Sequence, residues 1–167
     1  MLENSVLLAL VTVAAILSVG VGLLVWQRRQ ARLELVLDAP AVAPGAPVTG
    51  RFTVTARRPL TARGIEVDLI LSEPRPSGTY VERWRDTAAV CGPVTLAPGE
   101  VAGGAFTLPL PATLPAAARR GWLPRVASAD ALAVRTGRWV IRGRVTGTWL
   151  ARGRLLRVAG RAVEGTP

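Results

Sequence analysis

The sequence predicts an all-β protein in which one antiparallel β-sandwich follows a single N-terminal transmembrane α-helix. Two observations predict the sandwich: apolar and polar residues alternate over short segments after residue 32, and Gly/Pro-rich turns separate these segments at steady intervals. A third observation predicts the helix, because residues 5–26 contain no charged side chain. At 1.5 Å per residue this segment extends about 33 Å, which is enough to cross a hydrocarbon core of about 30 Å.

The apolar segment is predicted to remain in the mature protein as an anchor. It follows an acidic start and is longer than the roughly 7–15 apolar residues of a signal peptide. Three arginines come directly after it, and the positive-inside rule places them and the sandwich in the cytoplasm, with the N-terminus outside. A periplasmic sandwich is the alternative, since the rule is statistical for a single span. The predicted division is a lead 1–4, the helix 5–26, a basic juxtamembrane segment 27–32, the sandwich 33–163 and a tail 164–167.

The predicted helix carries two candidate contact surfaces. Ala14, Ser18 and Gly22 are small residues spaced four apart, a pattern that lets another membrane helix approach closely. The alternative is that such residues are simply common in membrane helices. Four residues at the end of the helix are predicted to meet anionic lipid headgroups, although they would serve equally as topology markers. These are Trp26, Arg28, Arg29 and Arg32.

The rest of the chain reads as short strands. In chain order, strands are predicted at residues 33–38, 48–55, 64–71, 80–90, 94–96, 103–108, 138–150 and 155–163. In the clearest of them, Val48, Phe52 and Val54 alternate with threonine and arginine, as expected for a strand with one buried face. Trp139 and Trp149 share the apolar face of the strand 138–150, so both are predicted in the core. Many short strands with almost no helix favour a sandwich.

Three short segments resemble arrestin-like N-terminal domains. Residues 43–54, APGAPVTGRFTV, resemble the Pro-Gly turn and alternating strand near the start of such a domain. Residues 106–115, FTLPLPATLP, are similar to its Phe-x-Leu … Leu-Pro strand end, and residues 139–145, WVIRGRV, to the aromatic-led strand that follows. The acidic strand 64–71 fits between them. The resemblance implies an immunoglobulin-like topology and a binding scaffold that is not an enzyme.

The chain also departs from that family. It has one predicted domain where arrestins have two, it lacks lysine, and it adds a membrane helix. The resemblance therefore implies the fold and an adaptor-like style of binding, and phosphoreceptor binding is not carried over.

Composition excludes several classes of site. The net charge is +10, histidine is absent, there is one cysteine, and all 21 basic residues are arginines. Ser-His-Asp catalysis, a His-built zinc site, a Schiff base and a P-loop are therefore excluded, as is an intrachain disulfide. We expect no enzyme activity, cofactor, metal or small-molecule substrate. The Ala/Arg/Gly/Pro-rich usage indicates a GC-rich genome, and hence the inner membrane of a bacterium.

Two further chemistries are weighed and set aside. Glu66 and Asp68 lie two apart on one strand face, as an acid–base pair would. Their neighbours are solvent-type residues with nothing to desolvate them, so we expect ion pairs with nearby arginines instead. The basic charge and the five tryptophans are also features of proteins that bind nucleic acid. Since Trp139 and Trp149 are predicted in the core, no stacking platform remains, and no nucleic acid is expected.

Candidate partner-binding residues lie in two places. Residues 116–137 show no strand pattern and are predicted to form a loop that contains a short helical turn at 128–133. Loops of this length are usually functional or disordered. Within the loop, a Trp–Leu pair beside arginines has the composition of an interface hot spot. The alternative is that Trp122 closes the end of the sandwich. A row of strand arginines is either a docking face or the solvated side of a sheet. The candidates are Arg119, Arg120, Trp122, Leu123, Arg138, Arg142 and Arg144; Arg157 and Arg161 extend the row.

These observations predict a non-catalytic accessory subunit of a larger integral-membrane complex, such as a respiratory or photosynthetic one. The helix would pack against the complex and the cytoplasmic sandwich would brace it. The alternative is a membrane-held, arrestin-like adaptor or assembly factor that recruits soluble partners.

Overall fold

The computed structural model describes residues 22, 29–74, 78–113, 134 and 137–159. This part of the chain forms ten strands: β1 (Ala31–Leu37), β2 (Ala41–Val42), β3 (Pro47–Ala56), β4 (Leu60–Ala62), β5 (Gly64–Pro74), β6 (Tyr80–Cys91), β7 (Val94–Leu96), β8 (Val101–Pro109), β9 (Arg138–Thr146) and β10 (Ala151–Val158). One sheet has the order β1-β3-β8, a second has β2-β10-β9-β5-β6, and a third pairs β4 with β7. The pairs are antiparallel except for β2 with β10.

The core lies between the three-stranded and the five-stranded sheets. In β3, Val48, Phe52 and Val54 are completely buried, and the residues between them are at least partly exposed apart from Gly50. The Phe52 ring fits against Gly143 of β9 so closely that a Cβ there would lie 2.5 Å from the ring. Because burial of such side chains is the main favourable term in folding, this contact fixes how the two sheets pack.

Trp139 of β9 occupies one end of the core. Its ring is 1% exposed and meets the ring of Trp84 edge to face, with centroids 5.7 Å apart. Its indole Nε1 donates a hydrogen bond to the buried carbonyl of Val134 at 2.8 Å. The predicted core position of Trp139 is therefore confirmed.

Two connections close one end of the sandwich. β4 connects β3 of the three-stranded sheet to β5 of the five-stranded sheet, and β7 connects β6 of the five-stranded sheet back to β8 of the three-stranded sheet. Leu60, Ala62 and Leu96 of these two strands are buried. We call this end, where β1 begins beside the end of β3, the entry end; it comprises residues 29–31, 56–64, 91–101 and 146–151. The opposite, distal end comprises residues 38–47, 72–74, 78–80, 109–113, 137–138 and 158–159.

The predicted all-β class is confirmed, and each of the eight predicted strands overlaps an observed strand. The last, predicted at 155–163, begins earlier, at Ala151, and residues 160–163 lie outside the described residues. Another prediction contains an error of continuity. The segment 138–150 is not one strand: β9 ends at Thr146, and a turn follows in which Gly147 has φ +83°. The amide of Val145 donates to the carbonyl of Leu150 at 2.9 Å, which closes the turn. Trp149 is consequently 78% exposed, and its predicted core position is wrong. The alternation also missed β2 and β4, which are too short to show a period.

The predicted helix at residues 5–26 lies outside the described residues except for Gly22, which is helical and exposed. No helix within the part of the chain that the structure describes has the length and hydropathy needed to span a bilayer. Most of the loop 116–137 likewise lies outside the described residues. It leaves and rejoins the sandwich at the distal end.

Candidate functional site

A cluster of charged side chains lies on the outer face of the five-stranded sheet. Because side chains alternate along β5, Val67 and Leu69 point into the core and Asp68 points outward. The register sets Asp68 between Arg142 of β9 and Thr87 of β6. The cluster thus joins three adjacent strands through one carboxylate.

Both carboxylate oxygens of Asp68 are occupied. The Thr87 hydroxyl donates to Oδ1 at 2.9 Å, and Nη2 of Arg142 donates to Oδ2 at 3.1 Å. Nε of Arg144 lies 3.2 Å from Oδ2, and Nη1 of Arg85 lies 3.8 Å from it. These side chains cover Asp68 so fully that its exposure is 0%. The expectation that nothing desolvates this carboxylate is therefore wrong, although the expected pairing with arginines is confirmed.

Two more acidic residues complete the cluster. Glu66 pairs with Arg144, and Glu82 accepts two hydrogen bonds from Arg85, at 2.9 Å from Nε and 2.6 Å from Nη2. The hydrogen bond with Glu82 raises the pKa of Arg85 above its ordinary value; burial opposes this, and the charges of Asp68 and Glu82 reinforce it. Arg85 therefore stays charged at every physiological pH. Three guanidinium groups face three carboxylates, so the cluster is neutral as a whole.

Two buried atoms of the cluster take part in ion pairs but in no hydrogen bond. Nε of Arg144 and Oε2 of Glu66 are buried, and neither makes a hydrogen bond within the described residues, although both lie in ion-pair distance of an opposite charge. These contacts therefore meet the distance for an ion pair but not the alignment for a hydrogen bond. Since a buried charge needs aligned partners to offset its desolvation, we regard these contacts as weaker than those of Arg142 and Thr87 with Asp68.

The cluster is built to hold strands together. A general base must reach a substrate proton, and Asp68 has no exposed surface and no unoccupied oxygen. The side chains of Arg142 and Arg144 are each 36% exposed and directed toward Asp68. Two of the candidate docking arginines are therefore paired with carboxylates of their own sheet face. Among the described residues, no group of three or more acidic or cysteine side chains is arranged to hold a metal ion.

The entry end presents a second set of basic side chains. The amides of Arg57 and Arg58, in the turn after β3, donate to the carbonyl of Gln30 at 2.9 and 3.3 Å. The amide of Arg63 donates to the carbonyl of Thr146 at 2.9 Å. All three arginines are exposed, as is Trp149 in the β9–β10 turn.

No family model and no curated protein matches the sequence. Among solved structures, the chain is similar to Spo0M, a sporulation control protein from Bacillus subtilis, with a TM-score of 0.51 and 18% sequence identity; the match covers 77% of this chain and 49% of that chain. The fold is an arrestin-like β-sandwich. The arrestin-like architecture implied by the sequence motifs is thus confirmed, and the chain spans about half the length of Spo0M.

A second solved structure is similar over the same share of the chain. It is the alkylpurine DNA glycosylase AlkC from Pseudomonas fluorescens, bound to DNA containing an abasic site analog. The TM-score is 0.42 and the identity 15%, with 77% of this chain and 30% of that chain covered. At this level of similarity the likeness carries no functional argument.

The arrestin-like sandwich separates the predicted site residues. Arg138 lies at the distal end, where its guanidinium carbon is 4.1 Å from the centre of the Tyr80 ring, a cation–π contact. Arg29 is exposed at the entry end, and Arg32 lies 3.9 Å from Glu34. The remaining candidates lie outside the described residues: Ala14, Ser18, Trp26, Arg28, Arg119, Arg120, Trp122, Leu123 and Arg161.

Sequence reasoning missed the entry-end residues Arg57, Arg58, Arg63 and Trp149 as a group. Of the four, only Trp149 is singled out by the sequence, as a core residue. The signal that unites them is strand register, which sets Ala31 opposite Ala56 and Gly64 opposite Thr146; the first brings the turn after β3 next to the start of β1, and the second brings Arg63 next to the β9–β10 turn. That register is a long-range property of the arrestin-like sandwich and cannot be derived from local alternation.

Proposed function

We propose that this chain is a non-catalytic binding scaffold, held at the membrane by residues 5–26, that serves as an accessory subunit of a larger integral-membrane complex. The observation that carries the proposal is the short connection between the apolar segment and the sandwich. Ala31, the first residue of β1, is buried, and the carbonyl before it is bound by two amides of the turn after β3. Trp26 and Ala31 are separated by at most about 18 Å of chain.

This connection supports a bracing role. A sandwich on a long linker would search a wide volume for soluble partners, whereas one that begins within a few residues of the bilayer is restricted to neighbours in the same membrane. The charge cluster supports the non-catalytic part of the proposal, because its acidic residues are engaged in holding β5, β6 and β9 together. The fold, shared with a sporulation control protein, is compatible with a scaffold and does not select one partner.

A native gel of membranes solubilised in mild detergent tests the proposal. We expect the full chain to migrate in stoichiometric amount with a large complex. The double substitution Ser18→Leu and Gly22→Leu should release it, because bulky side chains prevent close helix approach. The control Thr12→Leu with Ile16→Leu changes the opposite side of the same helix and should leave the complex intact.

Three results would each contradict one part of this proposal. A lone small species in the native gel would favour the adaptor instead of the subunit. Retention of the Ser18→Leu, Gly22→Leu variant in the complex would remove the helix face from the account. Digestion of the sandwich by protease added to right-side-out cells would place it in the periplasm rather than in the cytoplasm.

A further inference from the structure

We propose that the entry end of the sandwich is a second membrane contact, in which Arg57, Arg58 and Arg63 bind the phosphate groups of anionic phospholipids and Trp149 enters the headgroup layer. This inference rests on the proposed function, since it requires that residues 5–26 cross the bilayer. It goes beyond it by assigning a lipid-binding surface to the folded domain itself.

The fold brings these residues together from distant parts of the sequence. β4, only three residues long, connects the turn at Arg57 and Arg58 to Arg63. Arg63 then lies against the β9–β10 turn: its amide donates to the Thr146 carbonyl, and a Cβ on Gly147 would lie 3.2 Å from its Cγ. Trp149 is two residues further along the same turn. The four side chains therefore share the closed end of the sandwich.

If the apolar segment spans the bilayer, it joins the sandwich at this end, within a few residues of the headgroups. Gln30 is four residues beyond Trp26, and its carbonyl is within hydrogen-bond distance of the amides of Arg57 and Arg58. The turn after β3 is thus attached at the point where the anchor enters the domain. The distal end, by contrast, lies a full strand length away, about 33 Å for the ten residues of β3.

The side chains of this surface are better suited to bind anionic phospholipids than neutral ones. Arginine matches phosphate oxygens with two parallel hydrogen bonds, and tryptophan is enriched at membrane interfaces because its ring is apolar and its N–H is polar. The described residues of the entry end include four arginines, Arg29, Arg57, Arg58 and Arg63, and one acidic residue, Glu100, whose Oε2 accepts from the amide of Ala97 at 2.7 Å. The surface thus presents an excess of positive charge, which attracts anionic lipid within a Debye length.

The test uses the full chain reconstituted into liposomes of phosphatidylcholine, with or without phosphatidylglycerol. A nitroxide label is attached at Ala151→Cys, an exposed position two residues after Trp149, in a Cys91→Ala background. We expect collisions of the label with oxygen to rise several-fold relative to collisions with a water-soluble nickel chelate when phosphatidylglycerol is present. A label at Ala112→Cys, exposed at the distal end, should stay aqueous in both liposomes.

Matched variants connect the signal to the proposed residues. Arg57→Gln, Arg58→Gln and Arg63→Gln together should abolish the effect of phosphatidylglycerol, and Trp149→Ala should reduce it. The control Arg138→Gln with Arg157→Gln removes charge near the distal end and should change nothing.

The outcomes separate this inference from the proposed function. Protein that resists carbonate extraction from the liposomes while the Ala151 label stays aqueous in both lipids would overturn the lipid-binding surface and leave the anchor standing. An interfacial label that is indifferent to phosphatidylglycerol or to the arginine substitutions would overturn recognition of anionic headgroups. Release by carbonate would mean that the anchor itself is wrong.

Discussion

At the scale of the residue, Asp68 shows how strongly neighbours control burial. The alternation of β5 correctly predicts that Asp68 points away from the core, and on that basis it would be solvated. It is nevertheless fully buried, because arginines of β6 and β9 and the Thr87 hydroxyl close over it. Alternation reports which face a side chain is on; what covers that face depends on strands that are far away in sequence.

Replacing Asp68 by alanine should therefore destabilise the sandwich. The change leaves Arg142 and Arg144 without their shared carboxylate, and the loss of one partner of a buried ion pair costs about 3 kcal/mol at the lower end of the usual range, which suits arginines that are about one-third exposed. The free energy of unfolding of the full chain in detergent, measured with urea, checks this value.

The matched control is Glu34→Ala, which breaks an exposed pair with Arg32 at 3.9 Å and should cost less than about 1 kcal/mol. Equal losses in the two variants would show that the cluster contributes no more than a surface ion pair.

At the scale of the element, the strands were predictable and their ends were not. Period-two alternation predicted β3, β5 and β9 because each has one face in the core. It carried β9 through Gly147, since Thr148 and Trp149 continue the pattern by chance and the positive φ of Gly147 is not visible as a period. The displaced Trp149 is for that reason both the main error of the sequence analysis and a member of the proposed lipid surface.

Sheet-to-sheet packing at Gly143 gives a second prediction. Gly143→Ala should cost about 1–3 kcal/mol, because its Cβ would lie 2.5 Å from the Phe52 ring and overpack the core. Phe52→Leu should partly restore the double variant relative to the sum of the single changes. Thermal unfolding followed by circular dichroism measures both.

Gly153→Ala, on the neighbouring strand β10, is the control. A Cβ there meets its nearest atom at 3.7 Å, an ordinary contact, so the variant should be close to neutral. If the variants at Gly143 and Gly153 have the same stability, Phe52 does not fix the spacing of the sheets.

At the scale of the whole molecule, the sequence motifs predicted the arrestin-like sandwich because they follow its core strands in order. The composition of the entry end remained beyond sequence reasoning, since it depends on which turns the fold brings beside the start of β1. The consequence is a sandwich with two different ends: a closed, basic end at which β1 begins, and a distal end at which β8 ends and β9 begins. The proposed role needs the first end at the bilayer, which leaves the second for protein partners.

Extraction of bacterial membranes with alkaline carbonate tests this arrangement most directly. With an antibody against the sandwich, we expect the full-length chain to stay in the membrane pellet, with a mass that includes residues 5–26. A sandwich that appears in the supernatant, or a mature chain that starts after Trp26, would contradict the account.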